Sequence, residues 1–246
     1  MTTRVRHLLT LAFVLMFILI VALIAGLGRG ERMQMTCGGL DIRFTDSLEF
    51  ISEDDIRDCV DKLYGNYIGQ RIDSVGLARI EEILESQSVI KTCEAWTTDD
   101  GLLHLEIARR KPVARFTKGG SSVYADENGE LFPMHGEYIA QVPVIEGIIP
   151  EDEQWVREVM GMISYMQGHY WNERIGSIRA DDSGDIILTS ANGGEKILFG
   201  PPTDVEKKFW RLSKYYSHIL PAKGDGYYKK INVKYNKQII CSRTDI

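Results

Sequence analysis

Residues able to do chemistry are present in this chain, but their spacing does not assemble them. Five histidines, His7, His104, His135, His169 and His218, show neither the H-x-x-x-H nor the H-E-x-x-H spacing that puts two ligands on one helix face. Four cysteines, Cys37, Cys59, Cys93 and Cys241, contain no C-x-x-C pair, so neither a zinc ribbon nor a dithiol redox site is indicated. An oxidising compartment would permit a disulfide among them, and free buried thiols suit the apolar faces on which Cys59 and Cys93 fall. No G-x-S-x-G elbow, P-loop or G-x-G-x-x-G opens a helix after a strand. Gly119-Gly120 and Gly193-Gly194 sit in polar turns. Glu81 and Glu82 point in different directions on a helix, and with Glu85 they read as a face turned to water. Ser183-Gly184-Asp185 lacks the spaced ligands of a calcium loop. Gly168-His169-Tyr170-Trp171 reads as a buried aromatic corner before it reads as a sugar-stacking platform. No catalytic residue, metal ligand or cofactor is expected.

The elements that position these residues begin with an apolar run, Leu8 to Leu27, in which Thr10 carries the one polar side chain. At 1.5 Å per residue a helix of that length spans about 30 Å, the hydrocarbon thickness of a bilayer. Arg4 and Arg6 precede it without an acid, so the positive-inside rule keeps residues 1–7 in the cytoplasm and sends 28–246 outside. A cleaved signal peptide would have a shorter apolar region, about 7–15 residues, and a better small-residue site than Gly26/Gly28. The first 28 residues contribute +2 to a chain at −6, which leaves −8 for the exported part. That balance argues against nucleic acid or anionic headgroups as its main partner.

After a linker at 28–37, alternation in Leu40 to Phe44 predicts a strand. Ser52 and Asp55 then form a capping box ahead of a helix with the stripe Ile56, Cys59, Val60, Leu63 and Tyr64. A second helix is predicted from Asp73 or Ser74, with the stripe Leu77, Ile80, Ile83 and Leu84. Cys93 and Ala95 lie on one strand and Leu103, Leu105 and Ile107 on the next, with a turn at Asp99-Asp100-Gly101. His104 falls on the polar side and reads as exposed. The order is βααββ, with both helices expected on one sheet face.

From about residue 117 the chain becomes richer in strands. A hairpin turns at Asn128-Gly129, and Val142 to Gly147 reads as a strand. Glu151-Asp152-Glu153 opens a helix with the stripe Trp155, Val159, Met162, Ile163 and Met166. A second hairpin turns at Asp181 to Gly184. Thr203 and Glu206 suggest a capping box before the stripe Val205, Phe209, Leu212, Tyr216 and Ile219. One long strand is predicted from Tyr227 to about Ser242. With Lys229, Lys230, Lys234, Lys237 and Arg243 along it, this strand reads as a basic sheet edge in an acidic chain, either protected by its lysines or open to a partner.

Three stretches carry a family resemblance: Val89-Ile90-Lys91, then Leu103 to Ile107, then Arg110-Lys111-Pro112-Val113-Ala114-Arg115-Phe116. The βααββ order behind a single anchor resembles a POTRA domain, and these stretches resemble the FtsQ/DivIB family of bacterial cell-division proteins. Members often carry a glutamate three residues before the proline, where this chain has Arg109. Tyr124 to Phe132 resembles the family's V-x-D-x-x-G-x-x-F element, and Ile231 to Tyr235 its closing strand.

The resemblance implies an α+β protein with a transmembrane helix at 8–27, a POTRA-like domain at 38–116 and a β-rich domain with two helices at 117–246. It implies a non-catalytic single-pass scaffold of the septum, with its C-terminus in the periplasm of an inner membrane. The partners it implies are divisome proteins resembling FtsB/DivIC and FtsL, and septal wall synthases, with no small-molecule substrate. By the same resemblance, Tyr235, Lys237, Ile239, Cys241 and Arg243 form the face that meets the partner. A POTRA-type chaperone of envelope assembly is the alternative reading.

Overall fold

A computed structural model describes residues 13–23, 35–133, 139–169, 171–192 and 194–243. The head at 1–7, expected to be cytoplasmic, both ends of the apolar run and most of the expected linker therefore lie outside the described residues, as do His135, Tyr170 and Gly193. The middle of the run is a helix, α1 (13–23), with its side chains exposed. Among the described residues no helix is long and apolar enough to cross a membrane. Contacts divide the chain into two units, residues 1–109 and 110–246.

In the first unit β1 (Gly39–Phe44) leads to α2 (Glu53–Leu63), a 3-10 turn (Ile72–Ser74), α3 (Leu77–Glu85), β2 (Ile90–Thr97) and β3 (Leu102–Arg109). The capping box forms: Ser52 Oγ accepts from the Asp55 N–H, and the Asp55 carboxylate accepts from the Ser52 N–H. The strands order as β1-β3-β2, with β3 parallel to β1 and antiparallel to β2. Leu103, Leu105 and Ile107 of this central strand are fully buried, as are Val60, Ile80 and Leu84. Removing such surface from water stabilises by about 25 cal/mol per Å².

Four readings of this unit are corrected. Leu63 is 53% exposed and is no part of the core. α3 starts at Leu77, because Gly76 leaves helical geometry and its N–H goes to the Tyr64 hydroxyl. Residues 35–37 already belong to the unit and not to a linker: Ile72 N–H donates to Met35 O, and Cys37 is buried against the Gln70 carbonyl. His104 is buried, since the sheet face opposite the helices carries its own polar cluster. Its ring stacks on Trp96, with Asp41 at Nδ1 and Thr98 at Nε2, both 2.8 Å away.

Arg109 ends the unit as a buried clamp. Its guanidinium bonds the Asp46 carboxylate at 2.8–2.9 Å and the Ile51 carbonyl at 2.8 Å, and it lies 3.9 Å over the Phe44 ring. Burial works against the Asp46 carboxylate, but the Arg109 and Leu48 N–H groups and the guanidinium outweigh it and hold its pKa below the usual range.

The second unit contains β4 (Ala114–Lys118), β5 (Ser121–Ala125), β6 (Leu131–Pro133), β7 (Val144–Gly147), α4 (Glu153–Gly168), β8 (Ile175–Ala180), β9 (Ile186–Ser190) and β10 (Lys196–Gly200). It then runs through α5 (Val205–Lys214), a π turn (Tyr215–Ile219), α6 (Leu220–Lys223), β11 (Lys230–Asn232) and β12 (Ile240–Ser242). One nine-stranded sheet results, ordered β12-β11-β10-β9-β8-β7-β4-β5-β6. The boundary falls at 109/110, not 116/117, because β4 pairs with β5 and β7.

The α4 stripe is buried as expected, and Asp152 caps α4 by accepting from the Gln154 N–H. Trp171 is buried against Phe209 and Tyr216, an aromatic corner. Asp126, fully buried, organises the β5–β6 turn by accepting from the Asn128 and Glu130 N–H groups while pairing with Arg110. The Thr203/Glu206 capping box does not form. Asp204 is the N-cap instead, in the left-handed region, with its carboxylate on Lys207.

Candidate partner-binding edge

The terminal segment departs most from the expectation of one long strand. β11 lies parallel to β10 through Ile197↔Ile231, and Val233 is fully buried behind it. There the Arg211 side chain of α5 donates twice to the Val233 carbonyl, at 2.7 and 3.2 Å. Asn232 Oδ1 accepts from the Lys234 N–H, and the Lys234 ammonium is drawn to Asp185. The chain then reverses through Lys237 at φ +62° and returns as β12, antiparallel to β11. Residues 233–239 are therefore a loop.

The strict alternation across 235–243 is consequently lost. Tyr235 stands half exposed in a bend, and Lys237 is exposed at the turn. Ile239 is half-buried and packs on the core. Cys241 pairs with Ile231 and faces inward, where burial raises its thiol pKa. Arg243 folds back, with its guanidinium 4.5 Å from the Tyr227 ring centroid. All four cysteines are free thiols.

One expectation about this end holds: among the described residues the last strand is the end of the sheet, since β12 pairs with β11 on one side. The Ser242 carbonyl accepts from the Lys229 N–H at 2.8 Å, which turns the Ser242 backbone inward. By alternation the N–H and C=O of Cys241 point outward, where a further strand would add.

Beside this edge lies a groove of about 1180 Å³ between α5 and the 233–239 loop, reached by Lys237 and Ile239. Trp210, 60% exposed on α5, stands in it with Lys214 Nζ 5.3 Å from its ring centroid. Trp210 and the exposed Ile240 were not among the expected contact residues. The signal for Trp210 is an aromatic on the polar face of an amphipathic helix. Lys208 points the other way: burial lowers its pKa, and its ammonium is held by the Pro201 carbonyl. Among the described residues no group of three or more His, Cys, Asp or Glu is placed to hold a metal ion. The arrangement offers main-chain bonds, aromatic surface and positive charge.

Residues 111–242 match the family model for FtsQ/DivIB, C-terminal related, and residues 35–108 match that for a POTRA-like domain. No curated protein matches the chain.

Proposed function

The chain belongs to the FtsQ/DivIB C-terminal related family, and from that premise we propose that it is a non-catalytic scaffold of the bacterial septum. In this reading it is held in the inner membrane by the apolar run at 8–27, with both folded units outside the cytoplasm. The β12 edge receives a strand of a divisome partner resembling FtsB/DivIC, itself associated with an FtsL-like protein, and the assembly recruits septal wall synthases. The supporting observation is an edge strand whose outward main chain lies beside a basic, aromatic-lined groove in an otherwise acidic chain. β-addition draws affinity from main-chain bonds and specificity from neighbouring pockets. Tyr235, Lys237 and Ile239 contribute from the loop, Arg243 from the strand end, and Cys241 through its backbone.

The experiment separates backbone from side chain. The full chain, carrying Cys241→Pro or Cys241→Ala, is titrated with the exported segment of the FtsB/DivIC-like protein. Proline removes an outward N–H and is tolerated on an edge strand. Binding should weaken about tenfold or more for proline and change little for alanine. Equal affinity for both, with circular dichroism unchanged, would place docking elsewhere. A fluorescent fusion with no midcell signal during division would remove the septal role itself.

A further inference from the structure

At the other end of the nine-stranded sheet, β4, β5 and β6 face the first turn of α4 across a groove of about 780 Å³. Its floor is apolar, formed by Phe116, Val123, Leu131, Ile149 and Val156. Leu131 is 46% exposed there, because β6 alternates and sends Phe132 to the opposite side, where it meets Tyr124. Space of this size holds a few side chains of a peptide.

The rim is acidic. Glu130, Glu151, Asp152 and Glu153 line it, and the one cation among the lining residues, Arg157, is paired with Glu153. A helix N-terminus alone would favour an anion. Here Asp152 already caps the first turn, and two more carboxylates flank it. An apolar floor under an acidic rim therefore repels anionic ligands and attracts an apolar segment that carries cations. The groove at the terminal edge has the reverse character: Lys214 and Lys237 line it with Glu206 and with Lys207, which is paired with Asp204.

We infer that the β5–β6/α4 groove is a second docking site, whose occupant is an extended segment of a partner protein with two or three apolar side chains flanked by Lys or Arg. It is independent of the terminal edge, so one domain holds two partners of opposite charge at the two ends of one sheet.

The test uses the full chain and a fluorescent twelve-residue peptide alternating Lys with Ile, with a Glu-for-Lys peptide and a Ser-for-Ile peptide as controls. The Lys/Ile peptide should bind, and both controls should bind about tenfold more weakly or worse. Leu131→Asp should weaken binding by a similar factor. Glu130→Lys with Glu151→Lys should weaken it and flatten its salt dependence. Cys241→Pro at the far edge should leave it unchanged. Leu131→Ser carries the same test if the aspartate unfolds the chain. Equal binding of the Glu-for-Lys peptide, or unchanged binding to both Leu131 variants, overturns the proposal. So does a self-association of the chain that Leu131→Ser abolishes, because the occupant would then be a second copy.

Discussion

The two units contain the same hazard and handle it differently. In the first, β2 is an edge strand of a three-stranded sheet, and α3 plugs it: Glu85 accepts from the Cys93 N–H at 3.0 Å and Glu81 from the Ala95 N–H at 2.8 Å. Those glutamates were expected to face water; they serve as side-chain substitutes for a missing strand. In the second unit β12 ends the sheet among the described residues, with its outward main chain beside a groove that Lys214 and Lys237 line. A plugged edge refuses partners, whereas an open edge flanked by charge selects among them. The difference teaches where to look for recruitment before any partner is known.

The largest effect should come from removing the support beneath the plugged sheet. Leu105→Ala empties a fully buried site of β3 and should cost about 2–5 kcal/mol, read as a lower urea midpoint of the first unit. Glu106→Ala, on the exposed side of the same strand, should cost little. Equal losses would mean that the sheet is not supported by the two helices as described.

Unplugging comes next. Glu81→Ala with Glu85→Ala should cost about 1–3 kcal/mol, since two strand N–H groups lose their acceptors. It should also create concentration-dependent association in sedimentation, as β2 becomes an open edge. A double variant that stays monomeric and equally stable would break the contrast between the two edges.

The Asp46–Arg109 clamp predicts a pH effect with a definite sign. The Asp46 carboxyl has a lowered pKa when folded, so its contribution is present above the unfolded value of about 4 and disappears as pH falls through the lower folded value. The first unit should therefore lose melting temperature on acidification below about pH 4, and Arg109→Met should lose less over that interval. An identical acid slope in the two proteins would show that the pair is not the source.

The smallest effect is at the open end. Lys237 holds φ +62° without the freedom of glycine, so Lys237→Gly should stabilise the β11–β12 turn by at most about 1 kcal/mol. A clear destabilisation would show that the lysine side chain, not its backbone, secures the turn.

Much of the first unit was legible because its signals are local. The Ser52–Asp55 box and the alternation of Leu103, Leu105 and Ile107 are set by short-range periodicity, and the βααββ order follows from them. His104 was misread, and the Arg109 clamp was not foreseen, because alternation tells which face a residue takes but not what waits there. Asp41 and Thr98 are distant in sequence or belong to a turn, and Asp46 lies 63 residues from Arg109. In the second unit, Ile231 to Ser242 has the composition of one strand. What breaks it is tertiary, the Arg211 hold on Val233 together with the left-handed Lys237. That position gives the candidate site its actual form, a short edge strand beside a groove. A stripe of alternating side chains was therefore the wrong picture of this segment.

The place of β12 in the chain also sets a time. β11 reaches β10 only after the whole α5–α6 excursion, and β12 pairs with β11 alone. A chain that folds as it emerges from its N-terminus can complete the other eight strands before the β12 edge exists. Under the docking proposed above, residues 240–242 act as a completion mark: the β12 edge is offered only by molecules whose sheet is already built, and an unfinished chain ends its sheet at β11.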